Sequence, residues 1–226
     1  MTSSRFRDRT EAGQQLALQF KAYANRADVL VLALPRGGVP VAYEITRALH
    51  LPLDICLVRK LGNPGNKESA IGAIAADGVR VLNKFALHHL GITKQALTAI
   101  TDHELQELQR REHAYRGDRA PITICDRIVI LVDDGLATGA TMRAAVTWVR
   151  SQQPRQLIVA VPIAAMDAYK QLKSQVDRLV CLSIPNNLYA IGLWYNNFEQ
   201  VTDEQVCTLL GQSPGIDNAL AKHHSE

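Results

Sequence analysis

The stretch ILVDDGLATGAT at positions 130–141 decides how the rest of this sequence is interpreted. Its aliphatic start predicts a buried strand, and the pattern from Thr141 onward predicts a helix. The strand ends in Asp133 and Asp134, two carboxylates that are costly to bury without partners. Because ligands of open α/β sheets bind beyond the carboxyl ends of strands, the acidic pair indicates a binding site.

The residues around the acidic pair suit a phosphorylated sugar. Two adjacent carboxylates can accept hydrogen bonds from the vicinal hydroxyls of a ribose. The following loop offers backbone N–H groups, hydroxyls and a helix N-terminus to a phosphate, through Ala137, Thr138, Gly139, Ala140 and Thr141. Together they predict a ribose 5-phosphate site. The simpler alternative is an acidic N-cap on an ordinary strand–helix loop.

This segment resembles the phosphoribosyl pyrophosphate (PRPP) motif of type I phosphoribosyltransferases, in which aliphatic residues, two acidic residues and a threonine-glycine loop precede a helix. Neither GxxxxGK[ST] nor a GxGxxG after the first strand is present, so the common nucleotide-binding motifs do not compete. The resemblance implies an α/β fold with a Rossmann-type sheet that is mainly parallel and flanked by helices. It also implies an antiparallel hairpin and a small C-terminal hood. Enzymes and regulators share this motif.

A second glycine-rich stretch, ALPRGG at 33–38, follows the first predicted strand. Gly37 and Gly38 let backbone N–H groups converge on an anion, and Arg36 adds positive charge. The stretch resembles the pyrophosphate loop of the family, and the resemblance places a strained or cis peptide around Arg36–Gly37. The alternative is a plain glycine-rich turn.

The stretch VRKLGNPGNKE at 58–68 follows the second predicted strand. Arg59 and Lys60 emerge where a diphosphate would need neutralising, and we expect residues 62–66 to form an irregular loop. The stretch resembles the flexible loop that closes over substrates in the family, and closure would exclude water from the reaction. The alternative is an exposed basic turn.

Apolar runs that alternate with amphipathic stretches predict a parallel sheet covered by helices. Predicted strands lie at 28–34, 53–59, 127–132, 156–162 and 178–184, and predicted helices at 10–24, 39–49, 93–115, 141–151, 167–175 and 203–211. Residues 71–82 predict a hairpin that turns at Asp77-Gly78. We expect one domain over residues 1–226, with a core at about 25–184, an N-terminal helix at 10–24, a hood at 185–211 and a mobile tail at 212–226.

Three further stretches resemble a poorly characterised bacterial branch of the fold: FRDRTEAGQQLA at 6–17, RREHAYRG at 110–117 and PNNLYAIGLWYNNFEQV at 185–201. Leu188 and Asn197 depart from that branch, where an aromatic residue and an Asp are common, so the acceptor pocket stays undefined. Four aromatic residues cluster in the last stretch, at Tyr189, Trp194, Tyr195 and Phe198. We favour a hydrophobic cluster under the C-terminal helix over a wall for a planar acceptor.

The long predicted helix carries basic residues and histidines outside these motifs. We interpret Arg110, Arg111 and Arg116 as a solvated helix face rather than phosphate contacts. His103 has no metal-ligand or triad context and is assigned no role.

The composition argues against two classes of partner, nucleic acids and membranes. A net charge of +3 without a Lys/Arg block argues against nucleic acid, and the lack of a long apolar run argues against a membrane span. The four cysteines are widely spaced, so neither a disulfide framework nor a zinc site is expected. We expect a cytoplasmic homo-oligomer, specifically a dimer.

The resemblance implies a phosphoribosyltransferase that moves the sugar from PRPP to a nitrogen acceptor, such as a nucleobase, and releases diphosphate. Its catalytic residues would be Asp133, Asp134, Lys60 and Arg59. Mg²⁺ would be bound mainly through PRPP, so no dedicated protein metal site is expected. The alternative is a PRPP-sensing regulator without turnover.

Overall fold

The computed structural model describes residues 5–63, 66–82, 87–88, 90–117 and 119–213. Its centre is a five-stranded parallel sheet with the strand order β2-β1-β6-β7-β8, and a smaller antiparallel sheet has the order β3-β4-β5. The strands are β1 (Val29–Ala33), β2 (Leu53–Ile55), β3 (Val58–Asn63), β4 (Asn66–Ala75), β5 (Arg80–Leu82), β6 (Ile128–Val132), β7 (Gln156–Ile163) and β8 (Arg178–Ser183).

The helices agree with the predicted ones to within a few residues, except that the helix predicted at 10–24 divides into an α-helix and a 3₁₀ helix. They are α1 (Arg9–Ala17), α2 (Gly38–Leu49), α3 (Lys94–Arg116), α4 (Ala140–Ser151), α5 (Met166–Lys173) and α6 (Asp203–Gly211), with 3₁₀ helices at Leu18–Tyr23 and Ile191–Trp194. Thr93 caps α3 by accepting a hydrogen bond from the backbone N–H of Ala96. Thr202 and Gln205 form a capping box at the start of α6.

The central sheet is covered on both faces, which explains its unbroken apolar strands. Side chains alternate along β1, so Val31 packs on one face with α1, α2 and α3, whereas Leu32 packs on the other with α4 and α5. β1 pairs with β6 and aligns Ala33 with Val132. The loops that follow these two strands are therefore neighbours at the carboxyl edge of the sheet.

The predicted single strand at 53–59 is wrong. The chain leaves the central sheet after Ile55 and starts a strand of the second sheet at Val58. Cys56 and Leu57 between them are buried, so the apolar run continues through the change of sheet. Periodicity alone gives no signal for such a change, because residues in both sheets are buried.

The predicted irregular loop at 62–66 is also wrong for the residues that the structure describes. Gly62 and Asn63 belong to β3, Asn66 begins β4, and Asn63 pairs with Asn66 across a hairpin. The ladder has register shifts on both sides of Gly62, so pairing with β4 outweighs the weak strand propensity of these residues. Pro64 and Gly65 lie outside the described residues.

The hairpin predicted at 71–82 is confirmed. β4 and β5 pair antiparallel, and between them Gly78 adopts a positive φ of 79° while Asp77 accepts the N–H of Val79. Of the predicted mobile tail, 214–226 lies outside the described residues. No helix in the described part of the chain is long and apolar enough to cross a membrane.

Candidate active site

The acidic pair lies directly after β6, partly buried at the carboxyl edge of the central sheet. Oδ1 of Asp133 accepts the backbone N–H of Asp134 at 2.9 Å. Burial raises the pKa of Asp133 well above its ordinary value, and the neighbouring carboxylate of Asp134 raises it further. Burial also raises the pKa of Asp134, but a nearby arginine opposes that rise. Two carboxyl groups held so close favour a ligand that supplies hydroxyl donors or positive charge.

The ALPRGG loop packs directly onto the acidic pair. A Cβ atom on Gly37 would lie 2.6 Å from Cγ of Asp134, and one on Gly38 would lie 2.6 Å from the carbonyl oxygen of Val132. Only glycine permits this approach, because real Cβ atoms do not sit so close to other heavy atoms. The cis peptide is at Pro35–Arg36, one residue before the position that the resemblance implied.

The predicted phosphate loop leads into α4, as the sequence indicated. Gly139 has a positive φ of 68° and directly precedes the helix, whose first N–H, from Ala140, points to Oγ1 of Thr138 at 3.4 Å. Ala137, Thr138 and Thr141 are exposed there. Arg143, which the sequence analysis did not single out, donates from Nη1 to the carbonyl oxygen of Thr138 at 2.7 Å. A cation thus stands beside the loop, where it complements an anion.

Three separately predicted segments border one cavity of about 890 Å³. Pro35 comes from the glycine loop, Lys60 and Arg59 from β3, and Thr141 from the start of α4. Helix α3 forms the opposite wall with Ala99, Ile100, His103, Glu104 and Arg111. The sequence analysis missed this wall, because nothing local indicates that α3 faces the predicted site.

The cations predicted for the site differ in their partners. Arg59 forms an ion pair with Glu104 of α3, so part of its charge is neutralised. Arg36 lies 3.7 Å from Oδ1 of Asp203 at the start of α6. Tyr115 donates its hydroxyl to the same oxygen at 2.6 Å, and its burial together with this contact raises its pKa to about 12. Among the described residues no ion pair involves Lys60, so its positive charge is not neutralised by a carboxylate there.

An arginine from the N-terminal helix reaches the acidic pair. Nε of Arg9 donates to Oδ2 of Asp134 at 2.8 Å, and both side chains are largely buried, with 12% and 15% of their surface exposed. Nη1 of Arg9 donates to the carbonyl oxygen of Glu199 at 2.8 Å, and its guanidinium carbon lies 3.8 Å from the centre of the Phe198 ring. Arg9 was not predicted as a site residue, although it lies in the 6–17 stretch that resembles the bacterial branch.

The aromatic cluster is confirmed as a hydrophobic cluster, but the position predicted for it is wrong. Tyr195 packs between Phe6 and Phe198, with ring centres 5.5 Å and 4.9 Å away. The cluster therefore lies under the N-terminal segment rather than under α6. The hydroxyl of Tyr195 donates to the backbone oxygen of Asp134 at 2.7 Å, while Tyr189 is 88% exposed and takes no part.

The three arginines of α3 behave differently from one another. Arg110 is exposed and pairs with Glu107, as the predicted solvated face requires. Arg111 also pairs with Glu107 but lines the cavity. Arg116 contradicts the prediction, because its side chain is 9% exposed and forms a buried ion pair with Asp54 at 2.9 Å. A helical pattern cannot show that Asp54, a residue far away in the chain, would cover this face.

Comparison with known proteins agrees with this arrangement. The family model described as phosphoribosyl transferase domain matches residues 7–196. "Putative phosphoribosyl transferase MT0597" of Mycobacterium tuberculosis strain CDC 1551 is 42% identical over 208 residues, which are 92% of this chain and 47% of that protein. Rv0571c of the same species gives the same figures. The chain thus spans about half the length of the curated relatives it matches.

A solved structure is similar over nearly the whole chain. The crystal structure of TT1426 from Thermus thermophilus superposes with a TM-score of 0.86 at 41% identity, covering 93% of this chain and 100% of that one. The family match includes the acidic pair, the glycine loop and the phosphate loop that meet at one sheet edge. On these grounds the chain belongs to the phosphoribosyl transferase domain family.

Proposed function

We propose that the protein transfers the 5-phosphoribosyl group from PRPP to a nitrogen acceptor and releases diphosphate, with Mg²⁺ as cofactor. The observation that carries this proposal is the convergence of three motifs at one sheet edge. The backbone of Gly37 touches the carboxyl group of Asp134, and Pro35, Lys60 and Thr141 border one cavity. Its volume of about 890 Å³ falls within the range of roughly 300–1,000 Å³ that small-molecule sites occupy.

Each part of PRPP has a chemically matched place in the proposal. The 5-phosphate binds the N-terminus of α4 through the backbone of 137–141, and Arg143 adds positive charge there. The ribose hydroxyls bind Asp133 and Asp134. The diphosphate lies between the loop 35–38 and the cations Lys60 and Arg59.

The proposed chemistry depends on opposite charges at the two ends of one bond. The bond between the anomeric carbon and diphosphate breaks, and its electron pair leaves with the diphosphate. The acceptor nitrogen then supplies the pair for the new carbon–nitrogen bond, and its proton passes to water. Positive charge develops on the sugar beside Asp133 and Asp134, while Lys60 and Arg36 stabilise the leaving anion. No protein nucleophile is required.

Mg²⁺ fits this site as a companion of the substrate. Carboxylate oxygens suit Mg²⁺, which usually keeps several waters when it binds. Oδ2 of Asp134 accepts from Arg9, and Oδ1 of Asp133 accepts from a backbone N–H, so each carboxylate has one oxygen already engaged. This donor set suits contact through water more than a protein cage. Bound mainly through PRPP, the ion would supply charge neutralisation for the diphosphate.

The side chains that line the cavity bear on the class of acceptor. The aromatic cluster at 195–198 is used in packing against Phe6 and Arg9, and no Phe, Tyr or Trp is among the described residues that border the cavity. A nucleobase therefore has no aromatic stacking surface within the described lining. The acceptor panel should accordingly include amides and small amines beside purines and pyrimidines.

The test is diphosphate release from PRPP in the presence of Mg²⁺ and each acceptor of that panel. Wild type is expected to release diphosphate with at least one acceptor, and Asp134→Asn is expected to abolish release. If wild type and variant are equally inert with all acceptors, the transferase proposal fails. Tight PRPP binding by an inert wild type would instead support the PRPP-sensing alternative.

A further inference from the structure

We propose that Arg9 is a positioning residue of the active site, which holds the carboxylate of Asp134 in the orientation that the ribose requires. The inference deepens the proposed function and rests on it, because it assigns a role toward the same sugar. It adds the N-terminal segment to a site that otherwise consists of the loops at the sheet edge, β3 and α3.

The guanidinium of Arg9 is held from three sides. It donates Nε to Oδ2 of Asp134 and Nη1 to the carbonyl oxygen of Glu199, and its guanidinium carbon lies over the ring of Phe198. Several directed hydrogen bonds from one fork, combined with a cation–π contact, are a property of arginine that lysine does not share. Arg9 is therefore fixed in place, and its Nε–H contacts one defined atom, Oδ2 of Asp134.

The surrounding backbone fixes the same geometry. Phe6 donates its N–H to the carbonyl oxygen of Trp194, and the N–H groups of Asn196 and Asn197 donate to the carbonyl oxygens of Phe6 and Arg7. This pairing places the start of α1 against the hood. Tyr195 then binds the backbone oxygen of Asp134, so the side chain and the main chain of this residue are each anchored.

The contact leaves room for a ligand. Arg9 engages only Oδ2 of Asp134, so Oδ1 of the same carboxylate is left for a sugar hydroxyl. An arginine that blocked the site would be expected to engage both oxygens in a fork. The single contact is therefore more consistent with Arg9 orienting the carboxylate of Asp134 than with Arg9 blocking the sugar site.

The charge of Arg9 opposes the effect of burial. Burial raises the pKa of Asp134, and Arg9 lowers it through its charge and its hydrogen bond. The other titratable groups that face this carboxyl are Asp133 on the same loop and Tyr195 on the hood, and burial raises the pKa of both. Arg9 thus opposes the rise that burial causes in the pKa of Asp134, and it favours the carboxylate form, which accepts a charge-assisted hydrogen bond.

The experiment measures the affinity for PRPP with Mg²⁺ by calorimetry between pH 5 and pH 9, for wild type, Arg9→Ala, Arg9→Lys and the control Arg7→Ala. The ratio of variant to wild-type affinity at each pH cancels the titration of PRPP itself. For Arg9→Ala we expect the acid limb to move to higher pH, because a close opposite charge that favours the carboxylate form is lost. Arg9→Lys should move it less, because the charge is kept. Arg7→Ala removes an exposed cation of the same segment and should not move it.

The outcomes separate this inference from the proposed function. If wild type does not bind PRPP, the proposed function fails. If wild type binds and Arg9→Ala gives the same affinity ratio at every pH, Arg9 has at most a structural role and the inference is overturned. Should Arg9→Ala fail to fold, Arg9→Gln replaces it, because glutamine can still donate a hydrogen bond to Asp134 but carries no charge. An acid limb of Arg9→Gln equal to that of wild type would also overturn the inference.

Discussion

The backbone of Gly37 lies against the carboxyl group of Asp134, and a Cβ atom on the glycine would stand 2.6 Å from Cγ of the aspartate. Leu34 also donates its N–H to the carbonyl oxygen of Val132 just before both turns, so the two loops are joined at their bases. The proposed diphosphate and ribose sites therefore share one junction. The predictions below test that junction and the residues around it.

Gly37→Ala should weaken PRPP binding and lower the free energy of unfolding by about 1–3 kcal/mol, the usual cost of forcing an extra carbon into a packed site. The carboxyl group of Asp134 would have to move away from its contact with Arg9. Urea denaturation and calorimetry measure the two effects. The matched control is Gly211→Ala, whose added Cβ meets nothing within 4 Å and which should change stability by less than about 0.5 kcal/mol. Unchanged PRPP binding in Gly37→Ala would contradict the shared junction.

Asp133→Asn should stabilise the fold at alkaline pH while it weakens PRPP binding. Because the folded pKa of Asp133 is raised, the native state binds more protons than the unfolded state above about pH 4, and stability is lost as the pH rises toward the folded pKa. Asparagine does not titrate, and its Oδ1 can still accept the N–H of Asp134. The melting temperature of the variant should exceed that of wild type at pH 8 and approach it at pH 4.

The control for this pH dependence is Asp102→Asn on the exposed side of α3, which should track wild type at both pH values. A variant at position 133 that is less stable than wild type at pH 8 would show that the carboxylate is stabilised by partners instead of being penalised by burial.

Lys60→Met should lower PRPP affinity by about 10- to 100-fold, since a hydrogen bond to a charged group contributes about 1.5–3 kcal/mol. Lys60 borders the cavity, and methionine keeps most of its apolar stem. The salt dependence of binding should also become weaker. Lys94→Met, at the exposed start of α3, serves as the control and should bind PRPP like wild type. Equal affinities for the two variants would place the diphosphate elsewhere.

Arg116→Ala should destabilise the protein by about 3–5 kcal/mol, because it leaves the buried carboxylate of Asp54 without its cation. Asp54 also accepts the backbone N–H groups of Ile55 and Ile122, so it cannot turn toward solvent without losing them. Denaturant unfolding followed by circular dichroism gives the magnitude. Arg110→Ala on the same helix removes an exposed ion pair and should cost less than about 1 kcal/mol.

The parts of the fold that local pattern determines were predictable from the sequence. The apolar run of β6 and the Thr93 cap of α3 are readable within a few residues, and both are confirmed. The change of sheet between Ile55 and Val58 was not readable, because both sheets bury their side chains. The Asn63–Asn66 pairing was missed for the opposite reason: tertiary pairing imposes strand geometry on residues with turn propensity.

The candidate site divides in the same way. The motifs at 33–38, 58–60 and 133–141 are contiguous, and each carries its chemistry in one short segment. Arg9 and Arg111 reach the site from helices whose sequences look like ordinary amphipathic surface. Arg116 follows the same pattern, since its partner Asp54 is remote in sequence. Ion pairs between residues that are distant in the sequence can be assigned only from the three-dimensional structure.

The pairing of Phe6 with Tyr195 has a consequence for how the protein is made. Synthesis proceeds from the amino end, so Arg9 leaves the ribosome long before the hood that supports it. The central strands can assemble in the meantime. Contact between Phe6 and Tyr195 closes a long loop, and the entropy cost of closing it is offset only after the contacts between the two segments have formed. The proposed sugar-binding role of Arg9 should therefore become possible only when translation has passed Glu199 and the two distant segments can meet.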